Sequence, residues 1–197
     1  KLETMSKAFP AGSVGHILTD LCGVWHDHIE VYSLDGEMLS EDTHSGTPGS
    51  APWDNLVYID FDGEVFKQTN VTFKGREPHF RSFSGRLVDG VLVFDKLGPN
   101  APEHIGVSAG PDMLIFAARE VTDGFLKYSE PDFINLSNYG RTRTRTTLLY
   151  RNGKSVRTLR AMGTKIRPTA ERRVDFDPRG PDGPVHELRE ETQAFRK

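Results

Sequence analysis

Residues 23–32 read GVWHDHIEVY and carry the strongest indication of the fold. Successive side chains of an extended strand point to opposite faces. One face of this strand would carry Trp25, Asp27, Ile29 and Val31, and the other would carry His26, His28, Glu30 and Tyr32. The two-residue rhythm predicts a β-strand whose two faces differ in character.

A short helix is predicted immediately before this strand. Its apolar residues recur at the helical spacing i, i+3, i+4 and i+7, as Val14, Ile17, Leu18 and Leu21. Ser13 suits the N-cap of this helix, and Gly23 suits the position that stops it. The helix therefore ends where the first strand begins.

The rhythm of strands continues to residue 166, and tight turns interrupt it. Five dipeptides favour positive φ in two-residue hairpins: Asp35-Gly36, Asp62-Gly63, Asp89-Gly90, Asp123-Gly124 and Asn152-Gly153. We expect strands near residues 24–33, 37–44, 55–61, 64–73, 79–88, 91–97, 104–118 with a break at Gly110-Pro111, 125–136, 142–151 and 154–166. A meander this long is expected to close, because closure removes its exposed edges. The predicted fold class is all-β, a closed antiparallel meander barrel of eight to ten strands with a short N-terminal helix and an extended C-terminal tail.

The distribution of charge also favours closure. Residues 26–64 contain ten acidic side chains and no Lys or Arg, whereas residues 141–173 contain eleven basic side chains and Glu171 as their one acid. In an open meander these segments would lie at opposite edges. In a closed barrel the first and last strands are neighbours, so that opposite charges can pair across them.

The chain divides by composition into a barrel and its flanks. We expect Met5 to be the natural start, with residues 1–4 foreign to it, and residues 5–23 to hold the helix. The barrel is expected over residues 24–167. Residues 168–197 are rich in Pro, Gly and charge, which is typical of an extended tail, with one short helix near residues 185–195.

Composition excludes several classes of function. The net charge of −3 argues against a general nucleic-acid binder, and the longest apolar run, residues 113–118, is too short for a membrane helix. The single cysteine, Cys22, cannot form an intrachain disulfide, which favours the cytoplasm. The chain has no phosphate-binding glycine loop, dinucleotide fingerprint, paired Cys-x-x-Cys or Gly-x-Ser-x-Gly motif. Phosphoryl transfer, nicotinamide redox chemistry and serine-type hydrolysis are therefore not expected.

The opening of the first strand resembles a known signature. Gly23-Val24-Trp25, after a short helix and at the start of a meander, resembles the Gly-x-Trp motif of lipocalins and the wider calycin group. Together with His26 and the run Tyr32-Ser33-Leu34-Asp35-Gly36-Glu37, it also resembles an uncharacterised lipocalin-like family, although Leu34 stands where that family tends to have proline. The resemblance implies a barrel with a ligand cavity. Such barrels include carriers, chromophore lyases, isomerases and cyclases, so the resemblance implies no single reaction.

The first strand allows three interpretations. If the face of Trp25 lines the cavity, Asp27 is a carboxyl group in an apolar enclosure, where desolvation would raise its pKa and suit it to acid–base chemistry. If the other face lines it, His26, His28 and Glu30 resemble part of a cupin metal site. The third interpretation, which we favour for the histidines, is a solvated polar face, with Asp27 paired to a late-strand arginine.

Two later strands supply further candidates. Residues 141–151 read RTRTRTTLLYR, and we expect Thr142, Thr144, Thr146, Leu148 and Tyr150 inside, with the arginines outside against the acidic strands. An inward guanidinium, for which Arg145 is the candidate, would hold a carboxylate or enolate. His79, Arg81 and Phe83 share one face of another strand, where they would supply a base and an anion holder. Tyr58, Tyr128 and Tyr150 could donate phenolic protons to a ligand.

These patterns predict a barrel that binds a small, largely apolar or aromatic molecule and acts as an isomerase, cyclase or lyase, such as those of secondary metabolism. No metal or other cofactor is expected. The proposed catalytic residues are Asp27, His28, His79 and Arg81, and the proposed ligand-binding residues are Trp25, Tyr58, Phe83, Tyr128, Arg145 and Tyr150. The alternatives are a non-catalytic carrier and a cupin-like metal-dependent oxygenase. No nucleic-acid or membrane partner is expected, and a homodimer is left open.

Overall fold

The structure is a computed structural model that describes residues 8–40, 51–73, 78–96, 98–99, 103–118, 131–151 and 154–168, without the side chains of Phe73, Tyr150 and Arg151. Several predictions fall outside these residues: Tyr128, the turn Asp123-Gly124, the turn Asn152-Gly153 and the helix near 185–195. The division of the chain into barrel and tail therefore stays a prediction.

One helix and eleven strands are described. The helix is α1 (Val14–Leu21). The strands are β1 (Gly23–Tyr32), β2 (Met38–Leu39), β3 (Trp53–Phe61), β4 (Val65–Phe73), β5 (His79–Val88), β6 (Val91–Phe94), β7 (His104–Gly110), β8 (Met113–Ala118), β9 (Asp132–Ser137), β10 (Thr142–Arg151) and β11 (Lys154–Arg167). Every strand pair is antiparallel. Among the described residues no helix is long and apolar enough to cross a membrane.

The sheet closes into a barrel, as the sequence predicts. Its strands follow the order β11-β10-β9-β8-β7-β6-β5-β4-β3-β1, and β11 also pairs with β1. This last pairing runs from Trp25 opposite Lys165 to Tyr32 opposite Thr158. Within the described part of the chain the closed ring therefore has ten strands, and the acidic first strand lies beside the basic last one.

One predicted strand is shorter within the described residues, and another breaks where the sequence predicts a break. Of the strand expected over residues 37–44, the structure describes residues 37–40, where β2 pairs Met38 and Leu39 with the end of β1 and lies outside the ring. The segment 104–118 forms two ring strands, β7 and β8, separated by the turn at Pro111-Asp112. Proline has no backbone N–H to donate to a ladder, which explains the break.

The α1 helix closes one end of the barrel, which we call the closed end. Ile17, Leu18 and Leu21 are buried in a core cluster that includes Trp25 and Phe66. Trp25 Nε1 donates to the Leu21 carbonyl oxygen at 2.8 Å. Ser13 caps the helix through a bond from His16 N, and Gly23 adopts a φ of 137°, a conformation that suits glycine and ends the helix.

The opposite end is the open end. There β1 ends at Tyr32, β5 begins at His79 and β9 begins at Asp132. The turns at the closed end are described. For example, Asp89 and Gly90 between β5 and β6 have φ of 49° and 80°, as the predicted type I′ hairpin requires.

The orientation of β10 is opposite to the predicted one. Arg143 is buried and Arg145 faces the same side, whereas Thr144 is exposed on the outer surface. The register explains why the interior accepts arginines, because Arg143 lies opposite Gly163 and Arg145 lies opposite Ala161. These small residues leave room for long side chains, and carboxylates inside the barrel neutralise them, as described below.

Candidate functional site

A buried ionic network crosses the middle of the barrel. Arg143 grips Asp27 through two bonds, Nε to Oδ1 at 3.0 Å and Nη2 to Oδ2 at 2.7 Å. Arg145 Nη1 donates to the same Asp27 Oδ2 at 3.4 Å, and Arg145 also pairs with Asp132 through Nε and Nη2. Thr147 Oγ1 completes the network with a bond to Asp132 Oδ1 at 3.1 Å. The two acids and two bases balance in charge, so we call these five residues the neutral network.

The neutral network holds Asp27 as a carboxylate. Desolvation is the largest single effect and would raise the pKa of Asp27, but the charges and hydrogen bonds of Arg143 and Arg145 together lower it. The expectation of a raised pKa is therefore wrong, because it considered the burial of Asp27 without the two guanidinium groups. The alternative in which Asp27 pairs with a late-strand arginine is the one the structure contains. A carboxylate that accepts three arginine bonds is a poor proton carrier near neutral pH.

The neutral network separates two regions of the interior. Toward α1 the lining is the apolar core around Trp25, whose ring contacts the Arg143 guanidinium at 4.5 Å and Lys165 Nζ at 4.9 Å. Toward the open end, the exposed fraction of the network's side chains rises from 0–1% at Asp27 and Arg143 to 11–13% at Asp132 and Arg145. Solvent thus reaches the network from the open end, and the network forms the floor of what we call the open half.

One wall of the open half is cationic. Across β4, Asn55 lies opposite Thr72, which lies opposite His79, and Arg81 lies opposite Asn70. Residues directly opposite in an antiparallel ladder share a face, so His79, Arg81 and Phe83 face the interior like Asn55. His79 and Arg81 are nevertheless exposed, and the Arg81 guanidinium lies over the Phe83 ring at 5.0 Å. No carboxylate among the described residues pairs with either His79 or Arg81.

The wall across the open half is apolar. It is built by the buried side chains of Ile29, Val31, Trp53 and Ala161, with Leu159 packed against them. These residues lie on β1, β3 and β11, where Ala161 is opposite Arg145 and Leu159 is opposite Thr147 of the neutral network. The open half therefore combines an apolar wall, a cationic wall and a polar floor.

The remaining sequence candidates lie elsewhere. Trp25 is fully buried at the closed end. Tyr58 faces outward, in a cluster with Leu56 and Val71. His28 also faces outward, on the opposite side of the sheet from Asp27. Tyr150 lies at the end of β10, where only its backbone is described.

The polar face of β1 forms a cluster on the outer surface. His26 Nε2 and His28 Nδ1 lie 3.2 and 3.1 Å from the same oxygen, Asp54 Oδ1. This matches the solvated polar face and removes these residues from the barrel interior that a cupin-like site requires. Within the described ranges, no group of three or more His, Cys, Asp or Glu side chains could hold a metal ion. Burial, with Asp60 adding to it, raises the pKa of Cys22 to about 12, which leaves it a thiol.

The sequence does not predict three residues of the site. It predicts Arg143 on the outer surface, with the other arginines of β10. Asp132 is the first residue of β9, whereas the sequence predicts a strand that begins at residue 125. The prediction therefore did not place Asp132 at the open end of the barrel. Asn55 lies inside the barrel directly opposite Asp27 and is discussed below. The alternation Trp53, Asn55, Val57, Ile59 would have placed Asn55 on an otherwise apolar face.

Comparisons with known proteins extend only to the fold. No family model and no curated protein matches the chain. A protein of unknown function from the DUF3598 family of Nostoc punctiforme matches with a TM-score of 0.54 at 14% identity, over 76% of this chain and 49% of that one. An S-type phycobiliprotein lyase from Guillardia theta matches with a TM-score of 0.54 at 10% identity, over 81% and 94% of the two chains. The chain thus spans about half the length of the first protein. The closed barrel and these likenesses fit the calycin fold that Gly23-Val24-Trp25 implied, while the narrower resemblance to one lipocalin-like family stays a prediction.

Proposed function

We propose that the protein binds a small, largely apolar molecule with one anionic group in the open half of the barrel. The observation that carries this proposal is Arg81, a cation that faces the interior and has no carboxylate partner among the residues described. An apolar wall opposite it, with Trp53 and Ile29, supports an apolar body for the ligand.

Charge balance supports an anion rather than a neutral ligand. Within the neutral network, Asp27 pairs with Arg143 and Asp132 pairs with Arg145, so neither carboxylate neutralises Arg81. A guanidinium presents a planar fork of donors that matches a carboxylate or sulfonate. Because Arg81 is exposed to the interior solvent, it can exchange water for such a group without breaking a protein ion pair.

A matched pair of fluorescent probes tests the proposal. Anilinonaphthalene sulfonate, in the isomer with amine and sulfonate at opposite ends of the naphthalene, differs from the neutral phenylnaphthylamine by the sulfonate alone. We expect Arg81→Met to weaken binding of the sulfonate probe by about ten-fold and binding of the neutral probe by less than about two-fold, because only the first has a charge for Arg81 to pair with. Both are measured by fluorescence titration.

The control is Arg86→Met on the same strand. Arg86 faces outward and bonds Glu64 at 2.9 Å, so this variant removes an equal charge from β5 and leaves the interior intact. It should bind both probes like the parent protein. The proposal fails if the parent binds neither probe, or if Arg81→Met and Arg86→Met have equal effects on the sulfonate probe.

An acid–base enzyme, such as a lyase, isomerase or cyclase, is the second candidate. His79 favours it, since this imidazole faces the interior two residues from Arg81 and could move a proton on a ligand that Arg81 holds. Likeness in fold to a protein named as a lyase is compatible with this candidate. In this second proposal the proton carrier is His79, because Asp27 is committed to Arg143 and His28 faces outward.

Catalysis and carriage predict different results for His79→Gln. An enzyme would lose turnover of its substrate, by about a hundred-fold or more, and keep its affinity for the sulfonate probe. A carrier would show no turnover before or after the change. Retained turnover in the His79→Gln variant would remove His79 from the mechanism.

A further inference from the structure

Asn55 places a hydrogen-bond acceptor in the barrel that nothing in the described chain satisfies. Its side chain is 6% exposed and faces the interior from β3, opposite Asp27 on one side and Thr72 on the other. Its Oδ1 atom is buried and receives no hydrogen bond from any described residue. This residue occupies the edge of the polar floor, where β3 meets the neutral network.

The described hydrogen bonds of the two arginines of the neutral network go to carboxylates. Arg143 directs Nε and Nη2 to Asp27, and Arg145 directs its guanidinium to Asp27 and Asp132. The carboxylate of Asp27 is itself an acceptor and offers Asn55 no proton, because its lowered pKa keeps it ionised. None of these bonds reaches Asn55 Oδ1, which accepts no hydrogen bond from any described residue.

A buried amide oxygen without a donor destabilises a folded protein. An apolar side chain of the same size would avoid this cost, since both Trp53 and Val57 on the same face of β3 are apolar and buried. Asn55 thus resembles a group whose partner arrives from outside the chain. The open half gives such a partner access, because Arg145 and Asp132 at the same floor are partly exposed.

We propose that Asn55 Oδ1 accepts a hydrogen bond from an N–H or O–H group of the ligand, and that the ligand therefore carries a donor at one end and an anion at the other. This inference rests on the proposed function and narrows its substrate class. The Cα atoms of Arg81 and Asn55 are separated by two strand spacings and two residues along the strand, or about 12 Å. A rigid apolar molecule of two or three fused or linked rings spans that distance.

The test compares the sulfonate probe with its N-methyl derivative, which has no N–H but is otherwise alike. We expect the parent protein to bind the N–H probe about five- to ten-fold more tightly, because the methylated probe leaves Asn55 Oδ1 unpaired. In the Asn55→Leu variant the two probes should bind with equal affinity. Asn135→Leu, the same substitution on the exposed outer face of β9, should keep the preference of the parent.

A thermal melt without any probe tests the inference independently. If Asn55 serves a ligand, Asn55→Leu should melt at the same temperature as the parent or a few degrees higher, because an unpaired buried amide has been removed. Melting several degrees below the parent would mean that the amide stabilises the fold, and would overturn the inference whatever the probes do.

The outcomes separate this inference from the proposed function. If both sulfonate probes bind and phenylnaphthylamine displaces them, but with equal affinity for the N–H and N-methyl forms, the acceptor role of Asn55 is wrong and the binding barrel stands. If no probe binds the parent protein, both proposals fall together.

Discussion

Gly163 on β11 allows the central ion pair to form. It lies opposite Asp27 on β1 and opposite Arg143 on β10, so the Asp27–Arg143 pair passes directly over it. A Cβ atom at this position would clash with Asp27 Oδ1 and lie only 2.8 Å from Arg143 Cγ. The absence of a side chain at Gly163 lets the side chains of Asp27 on β1 and Arg143 on β10 meet across β11, the strand between them.

Gly163→Ala should therefore be strongly destabilising. We expect it to lower the free energy of unfolding by about 2–4 kcal/mol, because the added methyl group displaces a fully buried charge from its partner. Urea denaturation followed by tryptophan fluorescence measures this change. Gly110→Ala is the matched control, since its Cβ would meet nothing within 4 Å and its unfolding free energy should change by less than about 0.5 kcal/mol. Equal effects of the two substitutions would contradict the role assigned to Gly163.

Single residues were predicted with uneven success. His79, Arg81 and Phe83 could be grouped because strict alternation assigns them one face, and their register with β4 puts that face inside. The same reasoning failed at β10, where Thr and Arg alternate and hydrophobicity favoured the threonine side for the interior. The side chains that reverse this choice, Asp27 and Asp132, come from distant parts of the chain. The alternation of side chains within one strand does not predict which residues of other strands will lie beside it.

At the scale of elements, α1 and the strands beneath it form a separate structural unit from the open half. Leu18 is fully buried between the helix and the barrel. Lys165 Nζ donates to the Asp20 carbonyl oxygen at 2.6 Å, and Ser108 Oγ donates to the Gly12 carbonyl oxygen at 2.6 Å. These bonds attach both ends of the helical segment to different strands, so the helix closes the barrel without contributing to the floor of the open half.

Leu18→Ala should accordingly affect stability and leave binding unchanged. The lost contacts and the cavity should lower the free energy of unfolding by about 2–5 kcal/mol. Affinity for the sulfonate probe, measured well below the denaturation midpoint, should stay within about two-fold of the parent. Leu34→Ala, at a position that is 59% exposed, should change neither property. A folded Leu18→Ala protein that no longer bound the probe would place the ligand at the closed end and contradict the assignment.

Elements were easier to predict than residues, because their signals are local. The helix from Val14 to Leu21 and the turn at Asp89-Gly90 follow from apolar spacing, capping residues and the tolerance of positive φ. The described part of the strand expected over residues 37–44 forms only β2, because alternation along one strand does not predict which strand will pair with it. In the structure β3 already occupies that edge of β1 up to Ile29, which leaves β2 only Val31 and Tyr32 to pair with.

For the whole molecule, the distribution of charge along the sequence correctly predicted that the sheet closes into a barrel. The acidic first strand and the basic last strand are neighbours, and the strongest contact between the two charge segments, Asp27 with Arg143, lies inside the barrel and not on its surface. The sequence therefore indicated which segments meet and did not indicate on which side of the sheet. Cytoplasmic residence and a homodimer stay predictions.

The two ends of the barrel differ in composition and in the role that we assign to each. The closed end holds the apolar core under α1 and supplies stability. The open half holds an apolar wall, the cation of Arg81, which pairs with no described carboxylate, and Asn55 Oδ1, which accepts no hydrogen bond from a described residue. We infer from this division one location and one orientation for a bound molecule.

A crystal structure of the protein with anilinonaphthalene sulfonate tests this assignment. We expect the naphthalene to pack against Trp53 and Ile29, the sulfonate to lie within hydrogen-bonding distance of the Arg81 guanidinium, and the N–H to point at Asn55 Oδ1. A probe bound on the outer surface, around Leu56 and Val71 or around His26 and His28, would contradict it. So would a probe inside the barrel with its sulfonate turned away from Arg81.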